Sequence, residues 1–168
     1  MPNKRKGSDF ERLIARSIVG DAPGFSRKDC YRTPLSGGHP FGEKGDLVIA
    51  PSLRKFFPFM VECKHRKDWE PGVMFHPRKE ECRWIKQVLA ACEDTDFAPL
   101  LVMRGNGTDI YAAAPLRVVE KYIPRGRTAP LLYFNVSMLE REWLMLPFAR
   151  FTAEMRRRIQ DRQERGIK

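Results

Sequence analysis

The sequence predicts one α/β domain built in layers, with secondary structure in the order α, β, β, β, α, β and further elements after these. Three observations support this class. The 168 residues, 42% of them hydrophobic, suffice for one hydrophobic core and are few for two. Two stretches repeat apolar residues at helical spacing, and runs rich in Val, Ile and Phe lie between and after them. We find no internal repeat, so we expect a single domain over residues 1–168.

The first helix is predicted over about residues 8–19. Its apolar positions recur every three or four residues, at Phe10, Leu13, Ile14 and Ile18. Ser8 and Glu11 have the spacing of a capping box, in which the two side chains bond each other's backbone at a helix start. Gly20 and Pro23 then end the helix.

Three strands are predicted next. A short strand covers Asp29–Thr33, and the glycine-rich stretch Ser36–Gly45 is typical of a mobile loop. Two longer strands follow at Asp46–Ala50 and Phe57–Lys64, with prolines at the turn between them.

The second half of the chain begins with an amphipathic helix over residues 78–93, whose apolar stripe includes Cys82, Ile85 and Val88. The remaining predicted elements are a strand at Pro99–Met103, its partner at Thr108–Ala114 across the "RGNG" turn, a short helix at Leu116–Tyr122, a strand at Leu131–Val136 and a charged helix at Phe148–Ile167.

The charge of the chain indicates nucleic acid as its partner. The formal net charge is +10 and the pI is near 9.8, and a polyanion bound by many Lys and Arg side chains releases counterions. A basic protein that docks on an acidic protein or membrane surface remains an alternative.

Other patterns exclude several classes. The longest apolar runs are far below the roughly 18 residues of a membrane span, and the basic start lacks an apolar stretch, so we expect a protein with no membrane partner. The four cysteines form no CxxC pair, which favours reduced thiols in a cytoplasm. The three histidines are scattered, which argues against structural zinc. No phosphate loop ends in Lys-Ser or Lys-Thr, so we expect no nucleotide cofactor.

A charged pattern on the third strand predicts a metal site. Glu62 and Lys64 face one side of that strand, while Val61 and Cys63 face the other. If the second and third strands form an antiparallel hairpin centred near Arg54, Asp46 stands opposite Glu62. Two facing carboxylates repel each other unless a cation lies between them. Mg²⁺ binds such carboxylates, and a nearby lysine can hold water against a phosphate.

The plainer alternative is a solvated face on an edge strand. Glu62 and Lys64 would then neutralise each other, and Asp46 would merely open a strand after Gly45. For these three residues in isolation the two interpretations are about equally supported.

The same residues resemble the PD-(D/E)XK nuclease motif. Five segments in order resemble the archaeal-type Holliday junction resolvases of that superfamily, including versions carried by phages: "KRKGSDFER", "YRTPLSGG", "GDLVI", "FMVECK" and "KQVLAACEDTDFAPLLVMR". They cover a core of about residues 4–104, with residues 105–168 as C-terminal additions. The resemblance implies a restriction-endonuclease-like αβββαβ core with a mixed central sheet flanked by helices. It also implies a Mg²⁺-dependent homodimer, with Mn²⁺ as a substitute, that cuts branched DNA at four-way junctions in the cytoplasm of a bacterial, archaeal or phage-infected cell.

The resemblance also assigns roles to individual residues. Asp46, Glu62 and the main-chain carbonyl of Cys63 correspond to metal ligands, and Lys64 to the residue that positions water. Glu11 corresponds to an acidic residue that reaches the metal, a role that competes with the capping box. Ser36 corresponds to a catalytic loop serine and Gln87 to a helix residue facing the site. The residues expected to bind nucleic acid are Lys4, Arg5, Lys6, Arg12, Arg32 and Lys44.

Three functions stay open at this point: a junction-resolving endonuclease, another nuclease of the superfamily acting on linear duplex or flaps, and a non-catalytic DNA-binding protein. The segment Arg66–Lys79 departs from the family pattern and has the character of an insertion. Four residues in and near it either stack on unpaired bases, pack a dimer seam or fill the core, and core filling is favoured for most of them: Trp69, Met74, Phe75 and Trp84. The arginine run Arg156–Arg165 is either a DNA arm or a solvated helix face.

Overall fold

The structure is a computed structural model that describes residues 2–34, 44–123, 132–136 and 141–165. Its helices are α1 (Pro2–Gly20), α2 (Pro51–Arg54), α3 (Lys79–Cys92), α4 (Leu116–Tyr122) and α5 (Phe148–Glu164), with a 3₁₀ helix at Pro71–Phe75. Its strands are β1 (Cys30–Arg32), β2 (Leu47–Ile49), β3 (Phe59–His65), β4 (Ala98–Arg104), β5 (Tyr111–Pro115), β6 (Leu132–Val136) and β7 (Arg141–Pro147).

The main sheet has five strands in the order β3-β4-β5-β7-β6. β3 and β4 run parallel because α3 connects them, and the β4-β5, β5-β7 and β7-β6 pairs are antiparallel. β1 and β2 form a separate antiparallel pair beside β3. The predicted class is therefore confirmed: a mixed sheet flanked by helices, whose start follows the predicted order αβββαβ with the short helix α2 and the 3₁₀ helix added to it.

The core lies on both faces of the main sheet. One cluster joins α1 and α5 to the face that carries Val61, Leu100 and Val102. A second cluster joins α3 and the 3₁₀ helix to the opposite face, which carries Leu101 and Met103. Successive residues of β3 and β4 thus serve different layers, as the two-residue period of a strand requires.

The first helix begins earlier than predicted. α1 starts at Pro2, where the missing N–H of proline costs nothing because the first helical N–H groups have no intrahelical partner. Ser8 therefore lies inside α1, and the capping box of Ser8 and Glu11 is wrong. Glu11 therefore has no helix-capping role that would compete with binding a metal.

The predicted hairpin centred near Arg54 is also wrong. Residues Pro51–Arg54 form the short helix α2, since proline is well suited to the first helical position. β2 pairs with β1, with Val48 opposite Tyr31, and not with β3 in a ladder. Sequence reasoning also did not find β7 or the 3₁₀ helix, while the strands at Cys30–Arg32, Ala98–Arg104, Tyr111–Pro115 and Leu132–Val136 agree with prediction.

The arginines of α5 mostly contact the body of the domain. Arg156 pairs with Asp21, and Arg158 lies 4.6 Å from the centre of the Tyr122 ring. Arg162 lies 5.8 Å from the Phe56 ring, and Arg157 pairs with Glu154 at 3.5 Å. The predicted apolar stripe of Phe151, Met155 and Ile159 is buried. These contacts indicate that the arginines of Arg156–Arg165 mainly stabilise the packing of α5 against the rest of the domain. They do not form a free arm for DNA.

Core filling is confirmed for three of the four residues predicted to stack on bases, pack a dimer seam or fill the core. Trp69, Met74 and Trp84 are buried in the second cluster, and Phe75 is 43% exposed. Within the described ranges, we find no helix whose length and apolar character would let it cross a membrane.

Candidate active site at the edge of the main sheet

The site begins on β3, where alternate residues face different layers. Val61 and Cys63 point into the first core cluster. Glu62 stands beside Leu101 and Lys64 beside Met103, so both face the α3 layer. Glu62 is only 3% exposed. The solvent-exposed face of the alternative is therefore wrong for Glu62, although the pairing of Glu62 with Lys64 that the alternative expected is present.

Asp46 contacts β3 through two hydrogen bonds to the backbone of that strand. Its N–H donates to the Val61 carbonyl at 2.9 Å, and its carboxylate accepts the Cys63 N–H at 2.7 Å. These contacts place Asp46 beside Glu62 without a hairpin. The N–H and C=O of a strand residue point to the same side of the strand. Because the Cys63 N–H points to Asp46, the Cys63 carbonyl also points to the side of β3 on which Asp46 lies.

Thr33 holds the start of β2 from the other side. Its N–H donates to the Asp46 carbonyl at 2.9 Å, and its hydroxyl donates to the Gly45 carbonyl at 3.1 Å. Thr33 is 1% exposed. Sequence reasoning did not single it out as a positioning residue, and the only signal was its place at the end of the predicted short strand.

Gly45 permits the close approach of Asp46 to β3. Its φ is +90°, a left-handed conformation that residues with a side chain rarely adopt. A Cβ at this position would stand 2.6 Å from the Met60 sulfur and 3.1 Å from the Val61 carbonyl oxygen. Glycine is therefore required both by backbone conformation and by space.

The surroundings of the two carboxylates raise the pKa of both. Burial is the main factor that raises the pKa of Asp46 to about 7, and the nearby charge of Glu62 adds to it. The Cys63 N–H bond opposes this rise. Burial also raises the pKa of Glu62, opposed by the charge and hydrogen bond of Lys64. A cation is the kind of ligand that would stabilise both charged forms.

Lys64 links the carboxylates to α3. Its ammonium group donates to Glu62 Oε1 at 2.5 Å and to Gln87 Oε1 at 3.0 Å. Gln87 thus faces this cluster from α3. The lysine is held on the same face as Glu62 by two oxygen acceptors, which fixes the direction of its amine.

Glu11 lies near the cluster but is paired with another side chain. It is 9% exposed, and the Arg32 guanidinium donates a hydrogen bond to its carboxylate. Its negative charge raises the pKa of both Asp46 and Glu62, as the third and outermost carboxylate of the group. The contact joins α1 to β1 beside the site, and places Arg32 next to it as well.

The other residues expected at the site are more dispersed. Lys6 donates to Asn106 Oδ1 at 2.5 Å, Arg12 pairs with Asp9 at 2.9 Å, and Lys44 donates to the Glu93 carbonyl at 3.3 Å. Arg5 is exposed. Ser36 and the side chain of Lys4 lie outside the described residues.

The donor set suits a hard divalent ion with few protein ligands. In the part of the chain that the structure describes, no group of three or more His, Cys, Asp or Glu side chains could hold a metal. Asp46 and Glu62 supply two carboxylates, and the Cys63 carbonyl supplies a further oxygen. Mg²⁺ is usually bound by one or two carboxylates, water and substrate phosphate, so this set fits Mg²⁺ better than a closed structural site.

We predict that Gly45→Ala lowers stability by roughly 1–3 kcal/mol and weakens Mg²⁺ binding, because it strains the φ and separates Asp46 from Val61. Thermal melting without and with Mg²⁺ measures both effects. Gly72→Ala is the matched control, since nothing lies within 4 Å of a Cβ at Gly72. Unchanged melting of Gly45→Ala under both conditions would show that the close approach is not needed.

Comparison with known proteins places the chain in a family. The family model described as "Phage putative PDDEXK endonuclease" matches residues 2–160, nearly the whole chain. Searches of curated proteins and of solved structures returned no match. The matched range contains Asp46, Glu62 and Lys64. The chain belongs to this phage PD-(D/E)XK endonuclease family.

Proposed function

We propose that the protein is a Mg²⁺-dependent DNA endonuclease that resolves four-way junctions by hydrolysing phosphodiester bonds. The observation that supports it best is the meeting of Asp46, Glu62 and Lys64 at one edge of β3. Family membership supports nuclease chemistry, and the +10 net charge supports a nucleic acid substrate.

The metal ligands in this proposal are Asp46, Glu62 and the Cys63 carbonyl, with Glu11 approaching from α1. When bound, a divalent ion offsets the charge that develops on the phosphate and makes water more acidic. Mn²⁺ is expected to substitute, because carboxylate and carbonyl oxygens suit both ions.

Lys64 positions the attacking water in this mechanism. Its amine is already directed by Glu62 and Gln87, so it can hold a water molecule or hydroxide near a phosphate without first being ordered. Its positive charge also stabilises the negative charge of the transition state. Gln87 acts through Lys64 as a positioning residue, and Thr33 acts in the same way through Asp46.

The junction substrate is supported by the order of the five resolvase-like segments in residues 4–104. A homodimer follows from the substrate, because two symmetric strands must be cut and a two-fold dimer presents two equivalent sites. We place the reaction in the cytoplasm of a bacterial, archaeal or phage-infected cell. The four cysteines are free, as expected under reducing conditions.

We predict that Asp46→Asn lowers cleavage by at least about 100-fold while DNA affinity is kept, because a ligand oxygen loses its charge. Without metal and above pH 7, the variant should be more stable by on the order of 1 kcal/mol, because burial and the charge of Glu62 disfavour the Asp46 carboxylate and the amide carries no charge. Mg²⁺ should raise the melting temperature of the wild type and not that of the variant.

Asp96→Asn is the matched control, because Asp96 is an exposed carboxylate far along the chain from the site. It should behave as the wild type in cleavage, binding and melting. If the wild type cuts no DNA in Mg²⁺ or Mn²⁺ and Asp46→Asn changes nothing, the protein is a non-catalytic DNA-binding protein.

Substrate choice is tested with a four-way junction and a linear duplex of the same arm sequence, each incubated with Mg²⁺ and the wild type. We expect paired, symmetric cuts in the junction and little cleavage of the duplex. Equal cleavage of both, or preference for a flap, would contradict junction resolution and favour a nuclease of repair or restriction.

A further inference from the structure

A second charged feature lies just beyond the catalytic strand. A cleft of about 370 Å³ opens where β3 ends, between the start of α1 and the start of α3. We call it the basic cleft and define it by the cationic side chains that line it: Lys6, Arg66, Lys67 and Arg78. Three of these four, Arg66, Lys67 and Arg78, belong to the segment Arg66–Lys79 that departs from the resolvase pattern.

The basic cleft is held in a fixed relation to β3. The Asn106 N–H donates to the Lys67 carbonyl at 3.1 Å, and the Arg66 N–H donates to the Arg104 carbonyl at 3.0 Å. Asn106 also accepts the Lys6 bond from α1. Three separate parts of the chain thus meet at this point, so the cleft needs no reorganisation before a ligand enters.

The acidic residues of the cleft leave two cations available. Glu80 pairs with Arg66 at 2.9 Å, and Glu81 is buried and accepts the Arg78 N–H at 3.0 Å. Asp68 is exposed. Among the described residues, neither the Lys67 ammonium nor the Arg78 guanidinium has a carboxylate partner within salt-bridge distance, and both residues are exposed.

The walls of the cleft indicate which part of a nucleic acid would enter. Trp69 and Trp84 line it but are 4% and 3% exposed, so their rings are covered and cannot stack on bases. The exposed cations Lys67 and Arg78 are charged donors, and such donors bind phosphate oxygens without reading sequence. A chain of phosphates is the ligand that this surface suits.

The basic cleft lies close along the chain to Lys64, the residue proposed to position water for phosphodiester hydrolysis. Lys67 follows Lys64 by three residues, a path of at most about 10 Å. We infer that the basic cleft binds backbone phosphates of the DNA strand flanking the scissile bond, an inference that rests on the proposed nuclease function. The segment Arg66–Lys79 would thereby extend the DNA-binding surface beyond the proposed metal site.

The test measures DNA binding without cleavage. A fluorescein-labelled linear duplex is titrated with Asp46→Asn protein, and anisotropy is recorded between about 50 and 200 mM NaCl. Adding Lys67→Ala and Arg78→Ala should weaken binding by about tenfold or more and reduce the salt slope by about 1–2. The charge-preserving changes Lys67→Arg and Arg78→Lys should restore most of the affinity.

Arg117→Ala with Lys121→Ala is the matched control. These residues line a cavity at the start of β4, at the opposite end of the parallel β3-β4 pair, and their loss removes the same charge. We expect less than a twofold change from it. Equal losses in both double variants, or no loss from Lys67→Ala with Arg78→Ala, would overturn the inference.

The outcome is separable from that of the proposed function, which depends on cleavage by the wild type. A wild type that cuts DNA, together with a cleft variant of unchanged affinity, would reject the cleft alone. A wild type that does not cut, together with lost affinity in the cleft variant, would reject the nuclease and retain the cleft as a phosphate-binding surface. Melting curves of all variants check that each one is folded.

Discussion

The hydrogen bond from the Asp46 N–H to the Val61 carbonyl is the contact on which the site depends. It attaches the small β1-β2 pair to the edge of the main sheet and brings a carboxylate beside Glu62. Gly45 makes the approach possible, and Thr33 holds it from the opposite side. The result is a pair of close carboxylates, which disfavour their own charged forms when no cation is present. An arrangement that costs stability at a sheet edge is typical of a functional site.

The charged residues of the chain divide into two groups with different roles. Those of α5 contact rings and carboxylates of the domain, as Arg158 does over Tyr122, and therefore serve packing. Those around the end of β3 include cations with no carboxylate partner among the described residues, such as Lys67. Net charge alone does not distinguish the groups. Only the contacts make the surface beside the proposed metal site the better candidate for DNA.

Much of the fold could be predicted because its elements carry clear periodic signals. The two-residue alternation of β3 correctly separated Glu62 and Lys64 from Val61 and Cys63, and the helical stripe of α3 gave its position closely. The start of α1 was missed because Ser8 and Glu11 match a cap pattern that also occurs inside helices. β7 was missed because its residues follow a stretch with no strong turn signal.

The site shows a different limit of sequence reasoning. The predicted hairpin was wrong, since Pro51 begins a helical turn. The predicted proximity of Asp46 to Glu62 was nevertheless correct, because a short connection between β2 and β3 also brings the two residues close together. The pairing of Glu11 with Arg32 and the role of Thr33 depend on how β1 packs against α1 and β2. Contacts between residues distant in sequence leave no periodic pattern to read.

The most direct measurement is anomalous X-ray diffraction from crystals of the wild-type protein grown with Mn²⁺. We expect one strong anomalous peak within about 2.0–2.6 Å of carboxylate oxygens from both Asp46 and Glu62. A peak bound elsewhere, or an Asp46 carboxylate turned away from Glu62 in the metal-bound crystal, would contradict the shared-cation site.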